Sequence, residues 1–254
     1  MPLSTYEGGL NTLSTDKDLV IVRRKPSHVF NESKDGILYE FRILGVDIDC
    51  VEFFSFEQQA TYTETLEREL SHLENFNFQD IILATDEHLV RKWINGIRLD
   101  EALSQAYDVP LELYLCSIFE AHKKGLFYGD GWPPNVIVSD DCKRLTRYDI
   151  DFIVKDKEFE FAQAFYHILW FARDITPVIE ELSLFLKSEC LFHVYSSDSF
   201  KSYLKKHISR FRDILYDRLP FNDTIPRNKS EHYQLMYDAF RTSSLIHLLG
   251  GDDD

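Results

Sequence analysis

Asp130, Asn135 and the acidic pair Asp149 and Asp151 are the residues whose types and order could do chemistry. They fall within LFYGDGWPPNVIVSDDCKRLTRYDIDF, residues 126–152. Asn135 follows Asp130 by five positions, and Asp149 follows Asn135 by fourteen. Between Asn135 and Asp149 lie an apolar triplet (Val136, Ile137, Val138), a turn signal (Ser139, Asp140, Asp141) and a second short run ending at Tyr148. This order predicts a loop, a strand, a tight turn and a returning strand. A hairpin of that length brings its ends together, so Asn135 and Asp149 should face each other. Two oxygen ligands at one spot, beside a free carboxylate, suit a hard cation such as Mg²⁺ (or Mn²⁺) carrying phosphate. Pro133 and Pro134 would stiffen the link between the aspartate and Asn135. The plainer alternative is an acidic hairpin that keeps a sheet edge soluble.

D-x-x-x-x-N followed by D-I-D-F resembles the catalytic loop and metal-binding turn of the protein-kinase-like superfamily. Gly129 stands where conventional protein kinases carry arginine, and Asp151 where they carry the glycine of D-F-G. Both features are closer to aminoglycoside, choline and other atypical kinases, although Tyr128 replaces the usual histidine. The resemblance covers residues ~19–175 and implies an α+β, bilobal fold. Residues 1–93 would form an N-lobe with a five-stranded antiparallel sheet and one helix. Residues 94–254 would form a mainly helical C-lobe holding the catalytic hairpin. ATP is then implied as co-substrate, with Asp130 as the base toward an acceptor hydroxyl and Asn135, Asp149 and Asp151 as the Mg²⁺ ligands.

The elements that must position these residues can be read in order. Residues 1–18 are polar, with Gly8 and Gly9 adjacent, and read either as a flexible start or as a turn near the nucleotide. Leu19–Arg23, Ile37–Leu44 and Cys50–Phe56 are strand-like, and the turn signals at Asn31–Gly36 and Gly45–Asp47 predict an antiparallel meander. Thr61 and Glu64 have capping-box spacing, and Leu66, Leu70 and Leu73 continue a helix to about Asn75. Ile81–Ala84 and Leu89–Ile94 complete five strands. On that helix Glu69 matches the family's glutamate, with Glu67 as the runner-up; either also reads as an ordinary exposed carboxylate. Trp93 to Leu99 resembles the family's hinge, which implies that backbone groups at Lys92 and Ile94 bond the adenine edge. Leu111, Leu115, Ile118 and His122 mark a helix face closed by Lys123, Lys124 and Gly125, with His122 read as a core histidine. Further helices are expected near 161–173, 177–190, 199–218 and 231–249, with their apolar stripes in the core.

Several family features are missing. No glycine-rich loop, A-P-E or long activation segment occurs, and no lysine lies in Cys50–Phe56, the expected third strand. Arg42, Lys25 or Lys34 could substitute. If Ile37–Leu44 is a strand, Arg42 alternates with Phe41 and Ile43, and it either meets Glu69 or Glu67 in the cleft or snorkels outward. These gaps keep open a second class of function, a pseudokinase-like module that binds nucleotide or a partner without phosphotransfer. With 28 basic against 43 acidic residues and a net charge of −15, non-specific nucleic-acid binding is disfavoured. Four scattered cysteines and no C-x-x-C suggest reduced thiols. No signal pattern or apolar run near ~20 residues appears, so a cytoplasmic protein without a membrane span is expected. The identity of the acceptor is beyond the sequence.

Overall fold

The structure, a computed structural model, describes residues 4–7, 11–16, 18–24, 27–53, 81–85, 88–105, 111–127, 129, 132–147, 152–187, 194–210 and 228–242. Among the described residues the architecture is α+β, with sheet and one long helix in the N-terminal part and mainly helices beyond. Strands β1 (Ser4–Glu7), β2 (Asn11–Asp16) and β3 (Leu19–Arg24) form consecutive antiparallel pairs. β3 then pairs with β6 (His88–Lys92), which pairs with β5 (Ile81–Ala84), so the five-stranded sheet runs β1-β2-β3-β6-β5. The number of strands agrees with expectation but the membership does not. The polar opening residues contribute two strands in place of Ile37–Leu44 and Cys50–Phe56. S-T-Y-E and N-T-L-S-T-D carry little apolar alternation, yet threonine and tyrosine fit a pleated surface well.

Ile37–Leu44 is not a strand but the second half of helix α1 (Ser27–Leu44). Phe41 and Leu44 are buried and Ile37 packs against the same cluster; their spacing of four and three is helical. The Asn31–Gly36 stretch that reads as a turn lies inside this helix, where Gly36 has open space beside it. A glycine there weakens a helix by about 1 kcal/mol, which tertiary packing overrides. Gly45 N–H to Arg42 C=O and Val46 N–H to Phe41 C=O then close its C-terminus.

β4 (Val51–Phe53) leaves the main sheet altogether and pairs with β10 (Phe152–Val154), with Phe53 opposite Phe152 and Val51 opposite Val154. The expected helix from Thr61 to Asn75, with Glu67 and Glu69, lies outside the described residues. β5 (Ile81–Ala84) and β6 (His88–Lys92) are antiparallel, and β7 (Ile97–Arg98) runs straight into helix α2 (Leu99–Ser104). Gly96 makes this passage possible. Its φ is +144°, and a Cβ there would fall on the carbonyl oxygen of Val138. Gly96→Ala should therefore destabilise the fold by roughly 2–3 kcal/mol, through strain and a backbone clash together. Chemical denaturation checks this; a change below about 0.5 kcal/mol, the range of ordinary surface substitutions, contradicts it.

Helix α3 (Leu111–Lys123) precedes the antiparallel hairpin of β8 (Val136–Val138) and β9 (Leu145–Arg147), with β7 on its other side. β10 (Phe152–Val154) leads to helix α4 (Lys157–Phe171), which begins four residues before the expected Phe161. Asp156 is its N-cap, accepting from the Phe159 N–H at 3.0 Å. Nearly every side chain of α4 is buried, Trp170 completely, and the buried set includes the polar Glu160 and His167. Helices α5 (Ile175–Lys187), α6 (Ser197–Arg210) and α7 (Lys229–Thr242) follow among the described residues. Phe200, Leu204, Ile208, Tyr233 and Met236 are core residues, as their periodicity implies. Among the described residues no helix is long and apolar enough to cross a membrane.

Candidate active site

Helix α3 delivers the chain to the loop that carries the candidate base. Gly125 N–H bonds to His122 C=O and Leu126 N–H to Ala121 C=O, both at 3.0 Å. This pair of bonds ends the helix and turns the chain toward Gly129. Gly129 has φ +78°, a left-handed conformation that side chains resist. Its N–H donates to Glu160 Oε1 at 2.8 Å. The other oxygen of Glu160 is 2.8 Å from His122 Nε2, and His122 Nδ1 is 2.7 Å from the Tyr195 hydroxyl. A carboxylate only accepts, so Nε2 carries the proton toward it. In the neutral ring Nδ1 then accepts from Tyr195. Burial, with Glu160 and Glu158 nearby, pushes the Tyr195 phenol well up, so it stays a donor. His122 is thus a core histidine, and it also braces the residue immediately before Asp130.

Beyond Asp130, the Trp132 ring meets α4 edge to face, 4.5 Å from His167 and 5.1 Å from Phe171. Pro133–Asn135 form one 3₁₀ turn, and Asn135 N–H donates to Trp132 C=O at 2.7 Å. Prolines suit the start of such a turn, where an N–H would have no partner. Asn135 is half-buried and is followed by the fully buried Val136. The expected hairpin is present, with Val136 opposite Arg147 and Val138 opposite Leu145. Its turn is tied by the Ser139 hydroxyl, which donates to Asp141 at 2.6 Å and accepts from Arg144 N–H at 3.0 Å. Arg147, 1% exposed, puts a buried guanidinium two residues before Asp149. Asp130, Asp149 and Asp151 themselves lie outside the described residues.

At the hinge-like stretch, Lys92 ends β6 opposite Leu19, exposed to solvent, and Trp93 N–H donates to Asp18 C=O at 2.6 Å. Ile94 is half-buried, and Ile97 pairs with Val138. The linker is therefore stitched directly to the candidate catalytic hairpin. Arg42 is exposed in the last turn of α1, so the strand alternation that would aim it at a cleft does not exist. The Lys34 ammonium lies 5.1 Å from the centre of the Phe53 ring, and Lys25 is outside the described residues. The third strand is in fact β3, which carries Arg23 and Arg24 and leads into α1. Sequence reasoning placed it one helix too late.

Among the described residues no group of three His, Cys, Asp or Glu side chains could hold a metal. Of the expected donors only Asn135 is described. The set as a whole is all oxygen, which fits Mg²⁺ and not a soft metal. A cavity of about 290 Å³ opens where β10 meets α4, with Phe127, Lys155, Lys157 and Tyr203 in its wall.

No protein-family model matches the chain, and no curated protein does. Remote structural similarity to kinase-like proteins is found at 11–13% identity. WbdD, described as a bifunctional kinase-methyltransferase, has in one crystal structure a TM-score of 0.43 and 12% identity over 94% of this chain and 51% of its own. The chain thus spans about half the length of WbdD. ADP-bound aminoglycoside phosphotransferase APH(2'')-Ib has a TM-score of 0.39 and 13% identity over 94% of both chains.

Sequence reasoning missed Glu160, Trp132 and His167. The available signal was polarity in the wrong place: Glu160, Gln163 and His167 interrupt an otherwise apolar run from Phe159 to Ala172. Burial holds the His167 imidazole well below the usual histidine range, with His207 adding to the effect. Its folded pKa therefore lies below that of the unfolded chain, about 6.5. The unfolded state binds more protons below that pH. The stabilisation from keeping His167 neutral is full above pH ~6.5 and is lost as pH falls, by up to about 1.4 kcal/mol per unit. Urea denaturation between pH 7.5 and 5.5 should show this loss, and His167→Gln should flatten it. Equal slopes in both proteins would contradict the assignment.

Proposed function

We propose that the chain is an atypical ATP-dependent phosphotransferase acting on an acceptor hydroxyl. The support comes chiefly from one observation, the way the segment around Asp130 is held. Gly129 is fixed by Glu160, Trp132 packs on α4, and Asn135 immediately precedes a hairpin in which Val136 lies opposite Arg147. Asp149 would then lie close to Asn135. Asp130 accepts the proton of the acceptor hydroxyl as its oxygen bonds to the γ-phosphorus, while the bond to the bridging oxygen breaks and ADP leaves. Bound Mg²⁺ at Asn135, Asp149 and Asp151 would neutralise charge on the β- and γ-phosphates. Backbone groups at Lys92 and Ile94 bind the adenine edge. By position in the chain, Arg23 and Arg24 of β3 are the cations offered in place of the family's lysine, with Glu69 or Glu67 as the helix glutamate. Arg42 has no part in this reading.

The absence of a lysine on β3 favours a second reading, a nucleotide-binding pseudokinase. An arginine holds phosphate as a planar fork and not as a compact charge. Both readings predict that ATP with Mg²⁺, at a hundredfold excess over Kd, stabilises the protein by ~2.7 kcal/mol. At this chain length that raises Tm by roughly 5–10 °C. Asp149→Ala should abolish most of the Mg²⁺-dependent part. No shift with any nucleotide at millimolar concentration would contradict both readings, and phosphotransfer to water, small alcohols or protein separates them.

A further inference from the structure

Helix α4 carries a row of residues under the loop. Glu160, His167 and Phe171 are seven and four positions apart, hence on one face. Glu160 holds Gly129 by a hydrogen bond, while His167 and Phe171 hold Trp132 by ring contacts at 84° and 74°. Asp130 and Gly131 are the only residues between these two points of attachment. His167 is 7% exposed, and its Nδ1 has no hydrogen-bond partner. Its place is therefore not explained by a polar bond at that atom; what it does in the structure is present a ring to Trp132.

We propose that Trp132 and His167 are positioning residues, a second attachment to α4 that fixes the loop carrying Asp130 at its end away from Gly129. The catalytic part of this inference rests on the phosphotransferase reading above; the anchoring part does not. A ring at each position is what the anchor needs. Trp132→Phe and His167→Phe keep one, whereas Trp132→Leu and His167→Leu do not. A misplacement of about 1 Å can reduce a rate by around 10², so the leucine variants should lower kcat by roughly ten- to a hundredfold with KM for ATP unchanged.

Amide hydrogen exchange on the full-length chain supplies a readout independent of activity. Both leucine variants should speed exchange in the peptide spanning 128–135 by about tenfold or more, leaving the 136–147 hairpin unchanged, because the loss is local. The phenylalanine variants should restore wild-type exchange. Unchanged exchange at 128–135 would overturn the proposal, as would uniform loosening of loop and hairpin in both leucine variants, which is the behaviour of mere core packing. If exchange responds as expected but the wild type transfers no phosphate, the anchor stands and the phosphotransferase reading fails. If phosphate is transferred but exchange does not respond, the anchor alone fails.

Discussion

Asp130→Asn should lower turnover by roughly 10²–10⁴, the usual range for one general base, while leaving ATP affinity nearly intact. Asparagine preserves the size and much of the hydrogen bonding of aspartate but cannot take the proton from an acceptor hydroxyl. The neighbouring groups make this substitution clean. Gly129 is held through its backbone by Glu160, and Trp132 by ring packing, and neither contact uses the Asp130 side chain. A fall in kcat with constant nucleotide KM is the predicted pattern. If kcat is unchanged, Asp130 is not the base. If nucleotide binding disappears as well, the side chain has a structural role that this account lacks.

Glu160→Ala should be the most damaging single change to the fold around the site. It removes the acceptor of two buried donors at once, the Gly129 N–H and His122 Nε2. Each buried orphan costs about 1–3 kcal/mol, so a loss of about 2–6 kcal/mol is expected, a large part of a typical folding free energy. Glu160→Gln should be milder. His122 can shift its proton to Nδ1 and donate it to the Tyr195 hydroxyl, leaving Nε2 to accept from the new amide. Urea denaturation of both variants, with and without Tyr195→Phe, reads this directly. Equal effects of Ala and Gln would show that the hydrogen-bond chain is not what Glu160 contributes.

The hairpin beside the candidate site was legible because its signals are short-range. The Val136–Val138 triplet, the Ser139 turn and the returning run define the hairpin, and the Lys124-Gly125 ending defines the turn out of α3. Helix α1 was misread because its second half, ILYEFRIL, is rich in aromatic and β-branched residues. Over eight residues that composition imitates a strand, and Gly36 looked like a turn. β1 and β2 left almost no trace, since polar strands depend on pairing partners and not on their own pattern. The Glu160–His122–Tyr195 chain joins residues 38 and 73 positions apart. No local pattern encodes such a pairing, and it becomes visible only when α3, α4 and the approach to α6 pack together.

The most direct measurement is a crystal structure of the chain with Mg²⁺ and a non-hydrolysable ATP analogue. The account predicts a cation between Asn135 and Asp149 at the ~2.0–2.1 Å distances of Mg²⁺. The terminal phosphate should be directed toward the Asp130 carboxylate, and the adenine edge should lie on the backbone near Lys92 and Ile94. Nucleotide bound elsewhere, or Asn135 and Asp149 too far apart to share one cation, would contradict it.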